Sequence, residues 1–260
     1  MLPAERHAKI VDALRSDGAV KVVELAELLG VSEMTIRRDL DVLDEQEVLR
    51  KVHGGAIERG KRGVEPPSTA KAARQRAEKV AIGRAALAAV DDGMTIAISA
   101  GTTTLELARL LRGRGAITVV TNSISIFQEL TGHASEPNPT VYLTGGSRTP
   151  SDALVGPVAN AALDGFRVDS VFLGVHGFDI ESGLTTPNIA EAETNRRLIA
   201  TGRRLFVLAD NTKYREVGTN VFAPISAIDT LVVDDGLDVS DRDDLAGHVK
   251  NILVADTEKL

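Results

Sequence analysis

Ser32, Thr35, Arg37 and Arg38 crowd into the opening turns of one short helical pattern. Ser32 suits an N-cap, because its hydroxyl can accept a hydrogen bond from a free N–H of the first turn. Ile36, Leu40 and Leu43 then recur at helical spacing and form an apolar stripe that must pack on something. Met34 and Arg38 point the other way, with Thr35 and Arg37 on the flanks. A helix held by one face, with arginines near its start on the other, suits the major groove of DNA. There the first residues of a recognition helix reach base edges, and an arginine can bond guanine through two parallel hydrogen bonds. The helix pattern alone fits a solvated charged face equally well, so the flanks decide. Upstream, the apolar run Val22 to Leu29 stops at Gly30, which gives helix, tight turn, helix. Downstream, Val48 to Ile57 reads as two short strands around a glycine turn, a wing carrying Arg50, Lys51 and His53.

A second set of residues suits a small anionic ligand. Three strand-like segments are followed by small polar turns, Ser99-Ala100-Gly101-Thr102-Thr103-Thr104, Thr121-Asn122-Ser123 and Thr144-Gly145-Gly146-Ser147, and a later one by Gly174 through Asp179. A glycine turn that opens a helix presents backbone N–H groups and the positive end of the helix dipole to a phosphate. One such turn is more often a plain N-cap; three at successive strand ends point to a cleft. Asp179, Glu191 and Asp210 are acceptors suited to sugar hydroxyls, and Lys213 suits a phosphate. The plainer readings are that Glu191 complements a helix dipole and that Lys213 pairs with Asp210. His176 reads as structural. His7, His53, His133 and His248 are scattered without metal-ligand spacing, and the chain has no cysteine, so neither a metal nor another cofactor is expected.

These residues need two kinds of support. Residues 1–59 read as three helices and a wing, a winged helix-turn-helix domain. Residues 60–69, with Gly63, Pro66 and Pro67, read as a linker. In residues 70–260 a long Ala-rich helix over Ala70–Ala89 leads into alternating strands and helices. Those strands are Val-, Ile- and Leu-rich, the mark of a largely parallel α/β sheet covered on both faces. The chain of 260 residues is 43% hydrophobic and 26% charged, enough for about two globular domains. The net charge of −7 argues against indiscriminate nucleic-acid binding. Positive charge is concentrated locally, on Arg37, Arg38, Arg50, Lys51, Arg59, Lys61 and Arg62, which favours docking in one register. Charged residues within Met1–Ile10 leave no signal-peptide core, and no run is long and apolar enough to span a membrane. A cytoplasmic location is expected.

The chain resembles the DeoR family of bacterial transcription repressors. The resemblance rests on Glu5-Arg6, Val31-Ser32, Thr35-Ile36-Arg37-Arg38-Asp39-Leu40 and His53-Gly54-Gly55-Ala56. It continues through the Gly-Thr-Thr, Thr-Asn and Gly-Gly turns, Glu191-Ala192 and Asp210–Lys213. It implies a second domain similar to ribose-5-phosphate isomerase that responds to phosphorylated sugars or related metabolites. Two positions depart from the family pattern. Ser99-Ala100 stands where the family often has Asp-Ser, and Thr212-Lys213-Tyr214 where it often has Ser-Lys-Phe. The first removes a carboxylate from the cleft.

The sequence therefore predicts a non-enzymatic regulator, a repressor of carbohydrate-metabolism genes. Its partners are operator DNA, a phosphorylated sugar and further copies of itself as a homodimer or homotetramer. One alternative is a sugar-phosphate isomerase with a fused DNA-binding module, using Glu191 or Asp179 as base. Another is a constitutive DNA-binding protein whose second domain only oligomerises.

Overall fold

The computed structural model describes residues 2–46, 48–52, 54–58, 67–132 and 137–258. The chain forms two compact units, Met1–Lys61 and Arg62–Leu260. In the first, α1 (Pro3–Asp17), β1 (Ala19–Lys21), α2 (Val22–Leu29), α3 (Glu33–Glu45), β2 (Leu49–Val52) and β3 (Gly55–Glu58) follow in order. Helix α2 ends at Gly30 in the left-handed conformation, φ 65°, and its N–H bonds the carbonyls of Ala26 and Glu27. Ser32 then caps α3 by accepting the Thr35 N–H at 3.2 Å. Strand β3 pairs antiparallel with both β1 and β2, which makes the wing. Ile36, Leu40 and Leu43 of α3 close on Ile10, Leu14, Val22, Leu25 and Leu49, so the stripe read from the sequence is the face that holds α3 in place.

The second unit opens with α4 (Ser68–Ala72), α5 (Arg76–Leu87), β4 (Thr95–Ile98), α6 (Thr102–Leu110), β5 (Thr118–Thr121), α7 (Ile124–Thr131) and β6 (Thr140–Leu143). A hairpin of β7 (Ser147–Arg148) and β8 (Leu154–Val155) precedes α8 (Pro157–Asp164) and β9 (Val168–Gly174). Then come β10 (Gly177–Asp179), β11 (Gly183–Thr186), α9 (Ile189–Thr201), β12 (Gly202–Leu208) and β13 (Asn220–Ala223). The unit closes with β14 (Thr230–Asp234), α10 (Val239–Ala246) and β15 (Ile252–Ala255).

Seven of these strands form one sheet in the order β15-β14-β12-β9-β4-β5-β6, every pair parallel. Side chains alternate along each strand. Ala97, Val120, Val171, Leu173 and Val207 enter one core, and Ile96, Ile98, Val119, Phe172 and Phe206 enter the other. Both faces are buried, as the apolar strands predict. From β4 the chain runs outward to β5 and β6 on one side and later to β9, β12, β14 and β15 on the other. The order reverses between β4 and β9, so the crevice of an open parallel sheet lies at their carboxyl ends.

The structure corrects one element. The long helix over Ala70–Ala89 is two helices, α4 and α5, broken at Ala73–Gln75, with Gln75 in the left-handed region at φ 50°. Alanine-rich propensity runs straight through this break, but a side-chain contact across it competes with the helix. The buried Lys79 ammonium donates to the carbonyls of Lys71 and Arg74 at 2.5 and 2.6 Å, taking over acceptors that a continuing helix would use. The β7–β8 hairpin, the small β10-β11-β13 sheet, α10 and β15 are further elements that the sequence reading omits.

Candidate functional site

Of the residues that the sequence assigns to DNA, the first unit exposes Ser32, Arg37, Arg38 and Lys51. Ser32, Met34, Arg37 and Arg38 are exposed on α3, and Thr35 is half-buried with its hydroxyl 2.9 Å from that of Ser32. Arg37 rests on Glu33 one turn earlier at 3.0 Å. Lys51, exposed on β2, is ion-paired to Asp41 of α3. Arg50 is half-buried beside it on the same strand. His53 and Arg59–Arg62 lie outside the described residues. A partner of α3 missed in the sequence is Asp39, a buried carboxylate held by Arg6 and His7 of α1. It is the charge within the Arg37-Arg38-Asp39 triplet that faces inward.

In the second unit, the crevice between β4 and β9 is floored by the Ser99–Thr104 turn. Helix α6 starts there from Gly101 with no side-chain cap, so the first-turn N–H groups around Thr102 and Thr103 are left to a ligand or water. The turn is braced from every side. The Ser99 hydroxyl accepts the Gly174 N–H at 2.9 Å, tying β4 to β9. The Thr104 hydroxyl donates to the Ser99 and Gly101 carbonyls. The Thr121 hydroxyl donates to the Ile98 carbonyl at 2.7 Å. Asn122 accepts the Ala100 N–H at 2.9 Å and donates to the Leu154 carbonyl at 3.2 Å. Ser99, Thr104, Thr121 and Asn122 are all buried. What these four positions offer a ligand is the backbone they shape.

Gly145 and Gly146 follow β6 with φ 73° and 117°. A Cβ on Gly146 would sit 2.5 Å from the Val155 carbonyl oxygen, so glycine here lets β8 pass close by. Glu191, in the first turn of α9, is buried, and its carboxylate accepts the hydroxyls of Thr149 (2.6 Å), Ser151 and Thr186 (3.3 Å). Asp210 follows β12, buried, and accepts the N–H and hydroxyl of Thr212, with Lys213 half-buried in the next turn. Asp179 ends β10, and its carboxylate accepts the N–H groups of Glu181 and Ser182.

Lys79 is the charged group near this crevice that sequence reading missed. Burial pulls its ammonium down to about 8, against the opposing influence of Asp210. It lies at helical spacing from Ile82, Gly83 and Ala86 on the buried face of α5, a pattern that the Ala-rich run obscures. Asp234, at the end of β14, is pushed by burial up to about 6, despite hydrogen bonds from Asn211 and Gly236. Among the described residues no group of His, Asp and Glu side chains is arranged to hold a metal. A separate depression of about 590 Å³ lies where β4, β9 and β12 begin, lined by Asp91, Asp92, Asp169, Arg203 and Arg204 among others. It is at the wrong end of the sheet for ligands of this architecture.

Residues 6–59 match the family described as "DeoR-like helix-turn-helix domain", and residues 74–235 match "DeoR C terminal sensor domain". The chain belongs to the DeoR family of transcriptional regulators. Similar DeoR-type proteins include the HTH-type transcriptional regulator GlpR of Haloferax volcanii, 35% identical over 246 residues, 94% of this chain and 95% of that protein. The transcriptional repressor AccR of Agrobacterium fabrum is 33% identical, covering 89% and 90%. The HTH-type transcriptional regulator GolR of Listeria innocua is 35% identical, covering 90% and 91%. Among solved structures, ribose 5-phosphate isomerase A of Methanocaldococcus jannaschii is 16% identical and superposes on 53% of this chain and 54% of its own with a TM-score of 0.38. No helix among the described residues is long and apolar enough to cross a membrane.

Proposed function

We propose that this DeoR-family regulator is a cytoplasmic, non-enzymatic repressor of carbohydrate-metabolism genes. Its hold on operator DNA is set by a phosphorylated sugar bound in the second unit. The observation that carries the effector half is the uncapped start of α6 at the switch point of the sheet. The phosphate lies on the N–H groups of Gly101–Thr104, with Gly145, Gly146 and Gly174 keeping the approach open and Lys213 supplying positive charge. Asp179, Glu191 and Asp210 are the acceptors for sugar hydroxyls. In the DNA half, Arg38 reads a base edge, while Arg37, Arg50, Lys51 and His53 hold phosphates. Paired half-sites favour a homodimer or homotetramer. As read from the sequence, residues 60–69 link domains 1–59 and 70–260; Ser68 and Thr69 already belong to α4, so the linker ends at Pro67.

The isomerase alternative needs a free proton-transfer base. Glu191 is a poor one, since three hydroxyls already donate to its carboxylate. The test is a thermal-shift series with pentose and hexose phosphates beside their unphosphorylated forms, with turnover assayed in the same samples. A cognate ligand at a hundred times its Kd stabilises by about 2.7 kcal/mol. Binding without turnover supports the regulator. Turnover, or equal binding of the unphosphorylated sugar, overturns it.

A further inference from the structure

The β7–β8 hairpin is bonded to three parts of the crevice and to the start of the second unit. Its turn, Thr149-Pro150-Ser151-Asp152, closes with the Asp152 N–H donating to the Thr149 carbonyl at 3.0 Å. Proline in the second position is what such a turn favours. Toward the crevice, Thr149 and Ser151 donate to Glu191. Leu154 exchanges hydrogen bonds with Asn122, at 2.7 Å through its N–H and at 3.2 Å through its carbonyl. The same Asn122 accepts the Ala100 N–H of the α6 turn. Asp152 accepts the hydroxyl of Ser125 and the Arg148 guanidinium.

Away from the crevice, Pro150 makes a different connection. Its carbonyl accepts the N–H of Ser68 at 3.1 Å. Ser68 is the first residue of α4, one step beyond Pro67, where the described chain resumes. The far end of α4 is held by Lys79 through the carbonyls of Lys71 and Arg74. So this five-residue helix, too short to persist alone, is suspended between the hairpin and a buried lysine. The hairpin itself holds a non-glycine residue, Asp152, at φ 67°. Aspartate enters this region more readily than most residues, and here its carboxylate is tied to Ser125 and Arg148.

We propose that the Thr149–Asp152 turn is the element through which the state of Glu191 reaches the segment that follows the interdomain linker. The sugar-binding role of Glu191 rests on the function proposed above; the mechanical link between Glu191 and Ser68 does not. A sugar hydroxyl that donates to Glu191 replaces Thr149 or Ser151. The turn then loses a bond that fixes Thr149 or Ser151, the residues on either side of Pro150, Pro150 shifts, and Ser68 loses its acceptor. Because coupling is reciprocal, a change made at Ser68 must also be felt in the turn.

Amide hydrogen exchange on the full chain, without any metabolite, tests this link. Peptides spanning 147–155 and 69–74 are followed from milliseconds upward, with 168–174 in the central strand as the internal reference. Thr149→Val with Ser151→Ala, and separately Glu191→Gln, are expected to speed exchange about tenfold in both 147–155 and 69–74, leaving 168–174 unchanged. Ser68→Pro attacks from the other end. Proline is accepted at the first position of a helix, and Pro67 already has the extended backbone that must precede it, φ −55° and ψ 146°. This variant removes the N–H that Pro150 accepts together with the Ser68 hydroxyl, and, beside a Ser68→Ala control that keeps the N–H, it is expected to loosen 147–155. Faster exchange in 147–155 with no change in 69–74, or a Ser68→Pro variant with an unaltered hairpin, overturns the proposal. Sugar phosphates that fail to bind in the thermal-shift series would sink the effector reading and leave this result standing.

Discussion

Arg6 of the first helix grips Asp39 of the third, its guanidinium donating to both carboxylate oxygens, one at 2.8 Å. His7 adds a contact at 2.9 Å from its Nε2. Asp39 lies between Arg38, which faces solvent, and Leu40, which fills the core. The pair therefore sets how α3 sits on α1, and with it the aim of the arginines. Burial alone would raise the Asp39 carboxyl, but the hydrogen bonds from Arg6 and His7 outweigh it and hold it below its ordinary value.

Linkage gives the sign of the pH effect. A carboxylate depressed in the folded state contributes stability above its unfolded pKa of about 3.9, and that stability is lost as pH falls through the folded value. Arg6→Ala removes the main compensating partner. The first unit is then expected to melt at lower temperature at neutral pH and to lose less of its stability on acidification below about pH 4. Melting curves of the full chain between pH 3 and 7 measure this; an unchanged acid limb contradicts it.

For DNA, Arg38→Ala is expected to cost about 1–3 kcal/mol on the cognate site and to relax preference at one base pair. Lys51→Ala is expected to weaken all sequences alike and to flatten the salt dependence. Lys51 is already paired to Asp41, so its effect is the smaller. The comparison needs a site selected from random sequence and a scrambled control at one salt concentration. Equal losses on both DNAs for Arg38→Ala remove its base-reading role.

Lys79 makes the second unit sensitive to alkaline pH in the opposite sense from an ordinary ion pair. Its folded value is near 8, against 10.5 for an unperturbed lysine. Between these values the unfolded chain binds a proton that the folded chain does not, so stability rises with pH through that window. Lys79→Met is expected to flatten the rise, worth up to ~2 kcal/mol when melting is followed from pH 7.5 to 9.5. A rise of the same size in the variant would show that other groups carry it.

At the α6 turn, the ideal Cβ of an alanine at Gly101 would lie 2.9 Å from the Thr104 hydroxyl, and a valine would crowd the opening more. Gly101→Val is expected to abolish metabolite binding while leaving DNA binding without ligand intact. Calorimetry with the cognate sugar phosphate and a parallel DNA titration check both halves.

Much of this organisation was legible in the sequence because it rests on local signals. Ser32 as cap, Gly30 as stop and the Ile36–Leu40–Leu43 stripe each act within a few residues, and each lies where the pattern puts it. The apolar runs gave the strands of the parallel sheet, and their carboxyl ends gave the crevice. What sequence could not supply were contacts between distant residues. Nothing near Asp39 foretells Arg6. The Thr149–Glu191 and Pro150–Ser68 bonds likewise join residues from separate elements. Thr121 and Asn122 carried the composition of a binding turn, but their side chains are committed to neighbouring backbone. Composition cannot distinguish a group that meets a ligand from one that shapes the turn beneath it.

A regulator of this design must let one metabolite alter its grip on DNA. The most direct measurement is operator affinity, on a site selected from random sequence, with and without each phosphorylated sugar and its unphosphorylated counterpart at fixed salt. One phosphorylated sugar is expected to shift the affinity by roughly 5- to 150-fold, the range of a typical coupling free energy, and its unphosphorylated form is expected to have no effect. Operator affinity unchanged by a sugar phosphate that demonstrably binds the protein would contradict the proposed function.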